Sequence, residues 1–205
     1  MVSQKVTAGM NTPTEKRDSL LPGANRPGRR IRALMALAAL LVAVAALHLA
    51  TLLRTPPPFV DEAWYGSRAW AFIHTGRPFG PLDAGVLDRF DGYWTFLPYL
   101  GTWFQALPLR LFGLSLLSLR LAPLAFGLVL LVALYGIANA YAGPAAGLLA
   151  VLLTAVSSDY LYASHLVRPD LMASALGFVA IALYTTNQHR GLSWHAVLSG
   201  FAVSL

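Results

Sequence analysis

The sequence predicts an all-α integral membrane protein, and three observations carry that prediction. Of its 205 residues 57% are hydrophobic and only 12% charged, far from the balance of a water-soluble domain. Several uncharged runs approach or reach the roughly 20 residues that a helix needs to cross a bilayer. Positive charge is concentrated at one end: seven of the fifteen basic residues (Lys5, Lys16, Arg17, Arg26, Arg29, Arg30 and Arg32) precede the first apolar run, opposed there only by Glu15 and Asp18. Basic residues directly ahead of a span fit a cytoplasmic N-terminus and a multi-pass cell-membrane protein. The formal charge of +6 therefore needs no nucleic-acid partner. With no cysteine there are neither disulfides nor thiolate metal ligands, and the residues single out no metal site and no cofactor.

Residues 1–30 are polar, with Gly, Pro, Asn and Arg mixed in Pro22 to Gly28, and read as a disordered cytoplasmic tail. Residues 31–205 read as the N-terminal part of a polytopic transmembrane domain. In the first span, 33–53, the only polar side chains are His48 and Thr51, and His48 reads as a boundary residue. The run exceeds the apolar core of a signal peptide, which favours an uncleaved anchor. An outer loop, 54–120, holds five of the nine acids and four of the five tryptophans. Within it Glu62 to Thr75 reads as a short helix stopped by Gly76-Arg77-Pro78.

Gly92 to Leu109 admits two readings, a span or interfacial helices. Its length allows a span. Its Pro98, Gly101, Gln105 and Pro108, and its six aromatics, favour helices lying along the outer face. Leu121 to Ser158 has no charge and divides at Tyr141-Ala142-Gly143-Pro144 into spans at 121–141 and 145–162. A fourth span follows at 171–186, and 195–205 reads as a fifth cut off before it finishes. His165 reads as a boundary histidine, and Asp159 as a structural partner of Arg168.

Two stretches carry candidate chemistry. Val60-Asp61-Glu62-Ala63-Trp64-Tyr65 follows three prolines at the exit of the first span. Asp61 there is either an N-cap of the following helix or a general base held in a water-poor pocket. Arg168-Pro169-Asp170 holds an Arg and an Asp at similar depth, because Pro169 biases Arg168 away from helical geometry. That arrangement is either a topological stop with a local ion pair or part of a polar pocket.

The order of these motifs, with Phe112 to Leu121 between them and His165-Leu166-Val167-Arg168-Pro169-Asp170 at the end, resembles the N-terminal part of polyprenyl-phosphate-sugar glycosyltransferases of the GT-C fold. It is similar above all to the dolichyl-phosphate-mannose–protein mannosyltransferase family and its bacterial relatives, including lipid A aminoarabinose transferases. The resemblance implies GT-C-like transmembrane helices with interfacial helices in the first outer loop. It also implies an inverting transfer of sugar from a polyprenyl-phosphate donor to a protein, lipid or glycan acceptor at the outer face of the membrane. By that resemblance Asp61 is the base, Glu62 its partner, and Asp170 the acid of a later outer loop, with Arg168 beside it. Relatives commonly carry His-Pro-Pro or Lys-Pro-Pro where this chain has Gly92 to Pro98, and no lysine follows Lys16. Arg89, Arg120 and Arg168 are therefore the candidates for the donor phosphate.

Relatives are longer, so the chain reads as an incomplete enzyme. A transporter fragment and a non-catalytic membrane scaffold are the competing readings. Transporters place ionisable groups near the bilayer midplane and often carry inverted repeats, whereas the charges here sit at span ends. Span parity, with Gly92 to Leu109 interfacial, puts Asp61 and Asp170 on one outer face with carboxylates within roughly 12 Å.

Overall fold

The computed structural model describes residues 27–80, 82 and 99–187, and every element among them is helical. Helix α1 (Pro27–Thr51) opens on a proline, whose missing N–H is harmless in a first helical turn. It ends where the Thr51 hydroxyl folds back onto the Leu47 carbonyl at 2.9 Å. After the three prolines the chain re-forms as α2 (Val60–Thr75). The Phe59 N–H donates to Glu62 Oε2 at 3.1 Å, so Phe59 is the cap and Asp61 lies inside the first turn. The cap reading of Asp61 is thereby corrected. At the other end Gly76, at φ 73°, closes the helix as its sequence requires.

Helix α3 (Tyr99–Phe112) covers the end of the aromatic stretch. Its 14 residues reach about 21 Å, short of the roughly 30 Å hydrocarbon core. Helix α4 (Leu116–Ala142) begins at Leu116 and not at 121. The Ser115 hydroxyl accepts the Ser118 N–H at 3.1 Å, and the Ser118 hydroxyl accepts the Ser115 N–H at 3.0 Å, which nucleates the helix early. Arg120 thus rides on the helix.

A turn at Gly143 leads into α5 (Pro144–Ala155). The stretch expected as a span at 145–162 is not one continuous helix. Ser157 accepts the Tyr160 N–H at 3.2 Å and starts a new helix, α6 (Ser158–His165), bent by 69° from α5. Ser157, Ser158 and Asp159 offer local hydrogen bonds that compete with the continuing helix. Helix α7 (Pro169–Asn187) contains the expected 171–186. Among the described residues, three helices are long and apolar enough to cross a membrane, Gly28–Thr51, Leu116–Ala142 and Pro169–Thr186, or four if α5 and α6 form one bent span. Arg89, residues 195–205 and all but the end of the expected tail lie outside the described residues.

Helix α4 is the one the others pack on, touching α1, α3, α5, α6 and α7. One core joins Leu37 and Val44 of α1 to Leu131 and Tyr135 of α4, Val151 of α5 and Ala175 of α7. A second joins Ala69 of α2, Ala106 and Leu109 of α3 and Leu119 of α4 to Val167. Large aliphatic side chains such as Val42, Leu47 and Val132 remain exposed on the outside, as they are where the solvent is lipid.

Two contacts fix the direction of the chain. Arg120 Nη1 donates to the Leu52 carbonyl at 2.5 Å, and His165 Nδ1 lies 2.5 Å from the Thr55 carbonyl. The end of α1, the start of α4 and the end of α6 therefore meet at one end of the bundle. The α4–α5 turn lies at the other, about 40 Å away by helical rise. Together α5 and α6 run back along α4, so Asp61 and Asp170 arrive at the same end.

Gly143 has φ 85° and ψ 175°, a region open essentially to glycine alone. Gly143→Ala is expected to destabilise the fold by about 1–3 kcal/mol, measured as a lowered thermal midpoint in detergent. An unchanged midpoint would show that the turn relaxes freely.

Candidate functional site

Helix α2 sorts its side chains by position. Glu62, Gly66 and Ala69 share one stripe and are all buried. Asp61 and Tyr65, one turn apart on the neighbouring stripe, face the start of α7. On the buried stripe a Cβ at Gly66 would come within 2.9 Å of the Leu119 side chain, so glycine sets how closely α2 and α4 approach.

That approach brings Glu62 onto Arg120. Arg120 Nε donates to Oε1 at 2.7 Å and Nη2 to Oε2 at 2.9 Å, the parallel geometry in which an arginine–carboxylate pair is strongest. With Nη1 on the Leu52 carbonyl, the guanidinium is committed on three nitrogens and has no exposed surface. Beside it the Gln105 side-chain amide donates to the Leu119 carbonyl. Two of the candidate site residues are therefore turned inward. Arg120 is not presented to a donor phosphate, and Glu62 faces into the protein and away from Asp61's side of the helix.

The second charged group lies on the other stripe. Arg168 Nε is 2.9 Å from Asp170 Oδ2 and 3.8 Å from Asp61 Oδ2. The two carboxylates thus share one nitrogen, well within the roughly 12 Å expected of them. Pro169 keeps Arg168 out of the helix, and the Arg168 N–H closes a tight turn onto the Leu166 carbonyl at 2.9 Å. Exposure separates the three side chains: Asp61 is 28% exposed, Arg168 45% and Asp170 66%. Asp159, expected as a further partner of Arg168, stands exposed in the first turn of α6, and Arg168 pairs with Asp61 and Asp170.

Arg168 also lines a small, partly open cleft bounded by Tyr65 of α2, Gly101, Thr102 and Gln105 of α3, and Met172 of α7. Burial pushes the Tyr65 phenol above its ordinary range, with Arg168 opposing the rise and Asp61 reinforcing it. The hydroxyl therefore stays protonated at neutral pH and able to donate. Sequence reasoning missed Tyr65 and Gln105. Tyr65 was accessible through its one-turn spacing from Asp61, whereas nothing in the sequence pairs Gln105 with its partner. His48 and His165, expected at the membrane boundary, are both buried, with 1% and 0% of their surface exposed. Arg68, which was not singled out, is buried with its guanidinium 5.0 Å from the centre of the Trp64 ring.

Removing one partner of a buried ion pair leaves the other uncompensated, at a cost of about 3–5 kcal/mol. Glu62→Gln is expected to lower the thermal midpoint sharply, while Asp170→Asn, at the exposed site, leaves it nearly unchanged. Equal shifts for the two variants would contradict this division of roles.

The family model for dolichyl-phosphate-mannose-protein mannosyltransferase matches residues 97–205, a stretch that includes Arg120, Arg168 and Asp170 and leaves Asp61 and Glu62 outside. Comparison with curated proteins and with solved structures gave no match. The match takes in more than half of the chain and includes the arginines of both arginine–carboxylate groups. The chain belongs to the dolichyl-phosphate-mannose-protein mannosyltransferase family, a membrane glycosyltransferase family with lipid-linked sugar donors.

Proposed function

We propose that the cleft beside Arg168 is where a sugar passes, with inversion, from a polyprenyl phosphate to an acceptor hydroxyl at the outer face of the membrane. The observation that supports this best is the sharing of Arg168 by Asp61 and Asp170 at the mouth of the cleft. Asp61 takes the proton from the acceptor hydroxyl. The oxygen attacks the anomeric carbon from the face opposite the phosphate, the carbon–phosphate-oxygen bond breaks, and polyprenyl phosphate leaves with the electron pair. Arg168, held at Nε by the two acids, offers the rest of its guanidinium to the leaving phosphate. Asp170 orients that guanidinium, and Tyr65 supplies a neutral donor to the sugar or the acceptor. Glu62 and Arg120 act at one remove by fixing the first turn of α2.

Two substitutions separate these roles in a membrane assay with labelled lipid-linked sugar. Asp61→Asn keeps the shape of the side chain but cannot take a proton, and is expected to lower turnover by about 10²–10⁴-fold while donor binding stays nearly intact. Turnover within a few fold of the parent would remove Asp61 as the base. Arg168→Gln is expected to weaken donor binding by roughly 10–100-fold, and donor affinity equal to the parent would remove Arg168 as the phosphate contact.

A further inference from the structure

Two linkers at one end of the bundle deliver the acid–arginine group: residues 52–59 lead into Asp61, and residues 166–168 into Arg168 and Asp170. His165 joins them. It closes α6 with its ring fully buried, and its Nδ1 lies 2.5 Å from the Thr55 carbonyl oxygen. A carbonyl only accepts, so Nδ1 carries the proton and the tautomer is set. The His48 ring stands edge-on to His165 with centroids 4.8 Å apart, and His48 Nδ1 is itself 3.0 Å from the Ser164 hydroxyl. Helix α1 thus braces the imidazole that its own linker receives. From His165 the chain passes through buried Leu166 and Val167 straight to Arg168.

No other contact described above ties these two linkers so directly. The 3.8 Å approach of Asp61 to Arg168 is partly exposed and long, and pairs of that kind hold little by themselves. The Arg120 bond to Leu52 fastens the first linker to α4 and not to α7. We propose that His165 is a positioning residue: by fastening the α6–α7 linker to the α1–α2 linker it sets the spacing between Asp61 and Arg168. Its relevance to turnover rests on the roles given to those two residues above, whereas the clamp itself can be tested without them.

The chain has no cysteine, and Val60 and Tyr184 are both exposed, so spin labels at Val60→Cys and Tyr184→Cys report how α2 sits against α7. Pulsed-EPR distances are expected to be narrow in the parent and in His165→Asn, whose side-chain N–H stands close to where Nδ1 does. In His165→Leu the distribution is expected to broaden or shift; an unchanged one overturns the clamp. In the membrane assay His165→Leu is expected to lower kcat on the order of tenfold or more with donor KM nearly constant, and His165→Asn to recover most of the loss. A broadened distribution with kcat unchanged overturns the positioning role. Nitrogen NMR of the histidine-labelled parent keeps the proposal testable even if His165→Leu does not fold. A proton on Nδ1 of His165 supports the bond to Thr55, and a proton on Nε2 alone overturns it. Full activity of Asp61→Asn, with the EPR result as expected, would discard the assignment of the base and leave the clamp standing.

Discussion

A guanidinium taken wholly out of water costs several kcal/mol unless its donors are met, and Arg120 is buried without exposed surface at the head of the longest described helix. Its partners are what make the arrangement of helices specific. Glu62 meets two nitrogens and the Leu52 carbonyl a third, so the exit of α1, the first turn of α2 and the start of α4 are joined through one side chain. The consequence for the site is geometric. Adjacent residues of a helix point about 100° apart. Once Glu62 is turned inward onto Arg120, Asp61 must face sideways, where Arg168 and the cleft lie. Two neighbouring acids of the same chemistry thereby acquire different environments, one buried and paired, the other partly open.

The membrane imposes the second constraint. Helix α5 has only 12 residues, about 18 Å, and cannot cross by itself. Helix α6 completes the return at an angle. A break between two apolar helices leaves backbone groups that lipid cannot satisfy, and here Ser157 serves both sides of it. Its hydroxyl donates to the Thr154 carbonyl at 2.8 Å and accepts the Tyr160 N–H. The bend carries Ser164 and His165 to the α1 exit, where His48 and Thr55 take them up. Polar groups otherwise costly in a span are thus consumed in joining the linkers that hold the site.

The parts of this arrangement legible in the sequence are those set by local rules. Apolar length marked α1, α4 and α7, and Gly76 and Gly143 marked turns that need glycine geometry. Pro169 marked the place where Arg168 leaves helical geometry. What the sequence hid depends on partners far along the chain. Arg120 and Glu62 are 58 positions apart, and His165 and Thr55 are 110 apart. A charged or imidazole side chain near a span end looks the same in sequence whether it meets water or a buried partner. That is why Arg120 reads as a phosphate ligand and His165 as a boundary residue. The break at Ser157 was hidden for another reason: serine is compatible with either a helix interior or a cap, and the apolar run around it favours the former.

The unequal exposure of the two acids on Arg168 bears on how an anionic donor enters the proposed site. One guanidinium faces two carboxylates, so a phosphate arriving there must displace one of them or meet their repulsion. Asp170 stands 66% exposed, and an ion pair so open to water is held weakly and gives way at small cost. Asp61, 28% exposed and fixed on the first turn of α2 by its neighbour's bond to Arg120, is the less mobile of the two. Under the proposed roles Asp170 yields enough to admit the donor phosphate to the other guanidinium nitrogens while still orienting Nε, and Asp61 stays beside the cleft to receive the acceptor's proton. The two acids then differ in function because they differ in anchorage. One is fixed by a buried ion pair one residue away, and the other by an ion pair to Arg168 that is open to water.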